Sequence, residues 1–231
     1  MTVLEIAGVS KRYGALRPLR IERLALESGD SVALVGLDRG AAEILVNLIT
    51  GATLPDAGEV RIFGRTTAGI ADSADWLATV DRCGIVSDRA VLLDQLSVIQ
   101  NLAMPFTLDV EPPAADVRAR AETLAREVGI GAAAFDVAVG AVDAATRARV
   151  RLGRALALDP EMLLLEHATA TLGRDAARAF GRDVRAIAGR RGAALTAVTA
   201  DEAFGRAVAA RLLVHDPATG ALRERRRGWL G

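Results

Sequence analysis

The chain has 231 residues, 51% of them hydrophobic and only 3% aromatic, so its core must be built from aliphatic side chains. Lysine plus arginine balance aspartate plus glutamate at 29 each, which excludes a global electrostatic pull toward nucleic acid or an anionic surface. Cys83 is the only cysteine, so an intrachain disulfide is excluded and a reducing compartment is expected.

Short β-branched runs alternate with Ala- and Arg-rich helical stretches, the pattern of an α/β protein with a largely buried sheet. Strands are predicted over Val3–Val9, Ile21–Leu26 and Ser31–Gly36, then a helix over Ala42–Thr50 and strands over Glu59–Ile62 and Gly84–Ser87. No core strand is predicted from Asp88 to Val139, where Pro112 and Pro113 precede a helix over Ala115–Val128. Proline is tolerated there because first-turn donors need no partner. A helix over Ala144–Leu158, a strand over Met162–Glu166 and a helix over Arg174–Ala188 follow. A strand over Ala194–Val198, a helix over Asp201–Ala209 and a strand over Leu212–His215 complete the pattern. The tail RERRRGWLG is either a solvated end or a contact for anionic lipid. These elements describe one unit, residues 1–231, with an α/β core over about 1–87 and 140–231 and an inserted helical lobe over about 88–139. The stretch MTVLEIAGVSKRYG lacks the apolar core of a secretory leader. No apolar run approaches the roughly eighteen residues a spanning helix needs.

The stretch SVALVGLDRGAAEILVNLITG, Ser31 to Gly51, has the layout of a phosphate-cradling loop: buried strand, glycine turn, helix. The pattern G-x-x-x-x-G-K-[ST] starts here on Gly36. It then puts Ala41 at the second glycine, Ala42 at the lysine and Glu43 at the hydroxyl.

Six segments in order, among them KRYG around Tyr13, LPDAGEVRIFG, LLDQLSVIQNLAMP and RVRLGRALALDPEMLLLEHAT, make the chain resemble an ATP-binding subunit of an ABC transporter over nearly its whole length. The resemblance implies an ABC-ATPase-like P-loop core with a mixed sheet, an inserted helical lobe and an antiparallel β subdomain. It sets Tyr13 against the adenine ring and Gly36, Asp38, Arg39, Gly40, Ala42 and Glu43 along the phosphates. The family's metal-binding hydroxyl falls on Glu43, its metal- and water-contacting glutamine on Asp88, and its metal-supporting aspartate on Glu166. The general-base glutamate falls on His167 and the switch histidine on Ala200. The signature, which faces the opposite subunit's nucleotide, reads VDAAT, with Asp143, Ala144, Ala145 and Thr146 in place of its serine, glycines and glutamine.

Phosphoryl transfer depends on positioning and charge stabilisation, so these departures imply a degenerate member with no catalytic residue: a pseudo-ATPase that serves a membrane transport complex as a structural or regulatory component. Glu43 in the first helical turn would add about 0.3–1 kcal/mol to the helix and take the phosphate's place. Arg39 is expected to pair with Glu43 or Asp38. Asp38, Arg39, Glu43, Asp88 and Glu166 sum to −3, a field that repels a triphosphate. No cofactor is expected, with ATP and Mg²⁺ admitted only as weak ligands, the metal through Glu43, Asp88 and Glu166. His167 is either a polar strand-end residue or a replacement base.

Val91, Leu92, Leu93, Leu96 and Phe106 form either an apolar groove for a partner helix or the core of the lobe. The implied partners are a transmembrane transporter subunit and an ABC ATPase subunit in a homo- or heterodimer, with no nucleic acid. The implied place is cytoplasmic, peripheral on the inner face of the cell membrane. Two other readings stay open: a residual ATP binder or slow ATPase completed by a competent partner, and a soluble regulatory adaptor.

Overall fold

The computed structural model describes residues 1–225. Six strands form a central sheet: β3 (Ser31–Val35), β6 (Cys83–Ser87), β7 (Met162–Glu166), β8 (Ala194–Val198), β9 (Arg211–His215) and β10 (Leu222–Glu224). Their order is β10-β9-β3-β8-β7-β6, parallel throughout except for the antiparallel β9–β10 edge. The sheet is therefore mixed, as expected. A second, antiparallel sheet of β1 (Thr2–Lys11), β2 (Leu19–Glu27), β4 (Ala57–Ile62) and β5 (Arg65–Thr66) has the order β2-β1-β4-β5. Its β1–β4 register slips between Ala7 and Ser10. There Gly58, at φ +80, lies against the backbone of Ala7 and Gly8 with no room for a Cβ.

Strand periodicity divides the interior in two. Successive side chains of a strand point to opposite faces, and parallel strands covered on both sides read as unbroken apolar runs. In β7, Leu163 and Leu165 face one core while Met162 and Leu164 face the other. Ala33 and Val35 of β3 alternate with Val32 and Leu34 in the same way.

The helix α1 (Arg39–Ile49) lies in the core shared with the antiparallel sheet. The opposite core takes α3 (Val98–Ala103), α4 (Ala115–Glu127), α5 (Ala144–Leu156), α6 (Arg174–Arg191) and α7 (Glu202–Val208). A short α2 (Ser73–Val80) buries no residue fully. Segment 88–139 holds α3, α4 and no strand of either sheet. Among the described residues no helix is long and apolar enough to cross a membrane.

One predicted boundary needs correction. The helix after β3 starts at Arg39, three residues before Ala42, because Asp38 caps it. At the start of the tail, Leu222–Glu224 forms the edge strand β10, and Arg223, Glu224 and Arg225 are exposed to solvent. The rest of the tail call, from residue 226, lies outside the described residues.

The expected groove residues do not form one surface. Leu92 and Leu96 are buried in the core, Leu93 and Phe106 pack half-buried against it, and Val91 is 73% exposed. The fully buried Asn101 causes this. Its side-chain carbonyl accepts from the Leu93 N–H at 3.0 Å, and its amide donates to the carbonyls of Leu93 (3.0 Å), Leu96 (3.3 Å) and Ser97 (3.0 Å). A buried amide with its partners satisfied specifies one loop path, and here that path turns the leucines inward.

Candidate nucleotide-type site

β3 ends at Gly36, φ +91, in the left-handed region that favours glycine. A Cβ at that position would stand 3.0 Å from the His215 carbonyl. Asp38 follows in extended conformation and caps α1, its Oδ1 accepting from the Ala41 N–H at 2.7 Å. The Asp38 backbone carbonyl takes the Ala42 N–H at 2.9 Å. N-terminal helical N–H groups are the usual anion cradle, and here the protein's own carboxylate takes one of them. Tyr13 lies across this turn. A Cβ on Gly40 would meet its ring at 3.1 Å, and its hydroxyl donates to Asp38 Oδ2 at 3.5 Å. Burial, then the neighbouring Asp38 charge, push the Tyr13 phenol pKa up.

Ala42, in the register of the phosphate-loop lysine, is 0% exposed and packed in the core beneath the sheet. Since α1 begins at Arg39, Glu43 is not in the first turn, and the expected dipole benefit does not apply. Its carboxylate pairs with the Arg89 guanidinium at 2.7 Å. The other arm of Arg89 reaches Glu166 at the end of β7, at 2.6 Å. The Glu166 side chain is only 4% exposed. A guanidinium keeps its charge in a protein, and the hydrogen bond to Glu166 leads the causes that raise the Arg89 pKa further.

Arg39 does not pair with Glu43 or Asp38; it bridges to Asp88 at 2.9 Å. The carboxylates expected to share a metal are thus divided, Glu43 and Glu166 by Arg89 and Asp88 by Arg39. Among the described residues no three His, Cys, Asp or Glu side chains converge as a metal site. The expected field also changes by one positive charge. Four carboxylates face two guanidiniums, because Arg89 was not counted. Arg89 is the residue that sequence reasoning missed: its partners lie 46 and 77 residues away, and only its place beside Asp88 hinted at a role.

His167 follows β7 at φ +44, a strained value for a non-glycine residue. Its N–H donates to the Val198 carbonyl at 2.9 Å, and its buried ring Nε2 has no partner among the described residues. It lines a cleft of about 500 Å³ with Asp38, Arg39, Thr199, Ala200 and Asp201. Asp201 is itself spent on capping α7, accepting from Ala203 and Phe204 N–H at 2.8 and 3.1 Å.

The signature-position residues form the start of α5. Asp143 caps that helix by accepting the Thr146 N–H at 2.7 Å, while Ala144 and Ala145 form its first turn. That bond is the first cause holding the Asp143 carboxyl below the usual aspartate range. The structure therefore gathers Tyr13, Gly36, Asp38, Arg39 and Gly40 within one turn. Arg89 joins Glu43 to Glu166, and Asp143 to Thr146 stand on a separate helix.

Comparison with known proteins agrees with this architecture. The lipoprotein-releasing system ATP-binding protein LolD 1 of Rhodopseudomonas palustris is 28% identical over 202 residues, 85% of this chain and 89% of that protein. LolD of Chromohalobacter salexigens is 32% identical over 149 residues, but these are 64% of this chain and 62% of that protein. Of the ribose import ATP-binding protein RbsA 2 of Rhizobium etli, the chain spans a third. The structure of cbiO1 from Clostridium perfringens, part of a cbiONQ ABC transporter complex, superimposes with a TM-score of 0.79 over 96% of this chain and 86% of that one. At 16% identity that likeness concerns the fold. The profile of the family described as ABC transporter matches residues 21–170, and on that match and this fold the chain belongs to the ABC transporter family as an ATP-binding-cassette domain.

Proposed function

We propose that this chain is a pseudo-ATPase: a cassette subunit that serves a membrane transport complex as a structural or regulatory component, with little or no ATP hydrolysis. The observation that carries the reading is Arg89, whose guanidinium joins Glu43 to Glu166 at 2.7 and 2.6 Å. Those are the two positions where the family resemblance puts the magnesium ligand and its supporting carboxylate. A magnesium ion there would meet a fixed cation, so the residues present do not fit the metal. They do not fit a triphosphate either. Ala42 supplies no charge, and a charge-assisted phosphate contact is worth about 1.5–3 kcal/mol. The Asp38 carboxylate sits on the helix terminus that an anion would use. Asp143 does the same at the signature helix, so the surface that would face a second subunit's nucleotide is acidic too. In this reading the chain sits on the cytoplasmic face of the membrane, held there by a transmembrane subunit and pairing with a second ABC ATPase subunit.

The test has two parts. Phosphate release by the purified chain at saturating MgATP is expected to stay at the buffer rate, and sustained turnover would overturn the reading. Affinity purification of the tagged chain from detergent-solubilised membranes is expected to retain a protein with several spanning helices. Isolation without one would favour the soluble adaptor. A second reading, an ATP-binding subunit completed by a competent partner, is favoured by the curated relatives, which carry the description ATP-binding protein.

A further inference from the structure

The helix α6 buries Ala177, Phe180, Gly181, Val184, Ile187 and Ala188. Its outer side carries Arg174, Arg178, Arg182 and Arg185, all exposed. Steps of three and four residues set these arginines on one stripe, about 16 Å long at the helical rise. The ion pairs that α6 makes belong to Asp183, which takes Arg149 at 2.6 Å, and to Arg191. Among the described residues, the stripe arginines make none. The stripe ends at Arg185 beside a cleft of about 460 Å³ that Arg206, Glu224 and Arg225 also line. Arg225 pairs there with Glu202 at 2.9 Å, whereas Arg206 stands 3.8 Å from the same residue. The Arg185 guanidinium reaches only the Ala209 carbonyl, at 3.4 Å.

The chain is neutral overall, so this positive excess is local. An exposed helix face ordinarily interleaves its signs. On α4, Arg118, Glu122 and Arg126 alternate at four-residue spacing and pair at 3.0 and 2.9 Å. On α6 the same spacing sets Arg174 against Arg178 and Arg178 against Arg182, which destabilises a helix. Arg174 also stands at the N-terminal end, where the helix dipole disfavours a cation and Asp175 is the acid of the first turn. Beside the stripe Ala176 and Ala186 are exposed and Ala179 is half-buried, so that flank admits another helix at close range.

We propose that the outer face of α6 binds an acidic amphipathic helix of another protein. Its carboxylates lie in the register of Arg174, Arg178, Arg182 and Arg185, and its small apolar side chains lie against Ala179 and Ala186. Docking turns like-charge repulsion along α6 into cross-helix ion pairs, and the last carboxylate enters the cleft at Arg185 and Arg206. A nucleic-acid backbone would answer the arginines but gain nothing from the alanine flank. An anionic membrane would find no large apolar side chain on this face to take up.

Two stapled helical peptides of identical composition test this by fluorescence anisotropy at about 0.15 M salt. One holds its glutamates in the register of the stripe; the other has them shuffled around the helix. The in-register peptide is expected to bind about tenfold or more tightly than the shuffled one. Arg178→Glu with Arg182→Glu should remove that preference while leaving the melting temperature equal or higher, since the like-charge neighbours are gone. A peptide with lysines at its two central acidic positions should recover binding to that variant. Equal binding of the two glutamate peptides would overturn the proposal, because it would reduce the face to undirected attraction for negative charge. Duplex DNA or phosphatidylserine vesicles that bind more tightly than the in-register peptide, and lose binding in the same variant, would overturn the assigned partner class. Failure of both peptides to bind would overturn docking on α6 altogether.

Discussion

Arg89 and Glu166 lie 2.6 Å apart at the end of a core strand, with the carboxylate almost sealed from solvent and the guanidinium half open to it. Buried carboxylates persist only when paired or protonated, so this arginine completes the end of β7. Removing it with Arg89→Met leaves Glu166 without its cation. A loss of about 1–3 kcal/mol is expected, less than for a fully buried pair because Arg89 is partly solvated. Thermal unfolding of Arg89→Met, Glu166→Gln and the double variant should show a coupling between the two sites. Additive effects would mean that the pair contributes nothing together.

Asp38 makes a separate prediction. Its bond to the Ala41 N–H at 2.7 Å is a helix cap worth about 1 kcal/mol. Asp38→Ala should lower stability by about that amount. It should also expose donors that an anion can then use, so sulfate or inorganic phosphate should raise the melting temperature of the variant more than that of the parent chain. An equal response in both would mean that Asp38 does not occupy an anion position.

Putting the phosphate-loop side chains back is not expected to restore binding. Ala42 is fully buried in the core, so Ala42→Lys forces an ammonium stem through packed aliphatics at a cost of about 1–3 kcal/mol. With Glu43→Ser added, Asp38 and Arg89 still hold the helix terminus and Glu166. The double variant should stay folded, melt lower and give no calorimetric signal with MgATP. Recovery of binding would show that those two side chains yield to nucleotide.

How much of this could be read beforehand depends on the range of the forces involved. The bounds of β7 and β8 match the predicted Met162–Glu166 and Ala194–Val198, since strands covered on both faces announce themselves as unbroken apolar runs. α2 is only eight residues long and buries nothing fully, so its sequence holds too few apolar repeats to mark it as a helix. α3 had a local signal that went unused, the Ser97–Gln100 capping box. Asp38 ahead of an apolar run was likewise a readable start for α1. Arg89 was a different matter. A pairing across 77 residues follows from where two strands end, and no local pattern encodes it. The leucines from 92 to 96 pointed inward for a similar reason, since the buried amide that organises them sits on the next helix.

Acid should weaken the tie between α4 and α6 at Glu127. Its carboxylate takes two bonds from Arg191, at 2.6 and 2.8 Å, tying the end of α4 to the end of α6. The Arg191 hydrogen bond is the leading cause that holds the Glu127 pKa below the usual glutamate value. A depressed folded-state pKa gives stability that is complete above the unfolded value, about 4.3. It is lost as pH falls through the lower folded value. The melting temperatures of the parent and Glu127→Gln should therefore differ near neutral pH by the equivalent of about 1 kcal/mol and converge in acid below about pH 4. A gap that stays constant down the titration would remove this pair from the acid response.

Isothermal titration calorimetry of the purified chain with MgATP tests the whole account most directly. With Arg89 on Glu43 and Glu166, Asp38 on the helix terminus and no lysine at position 42, millimolar MgATP should produce no binding heat and no shift in melting temperature. A saturable isotherm with micromolar affinity would contradict it.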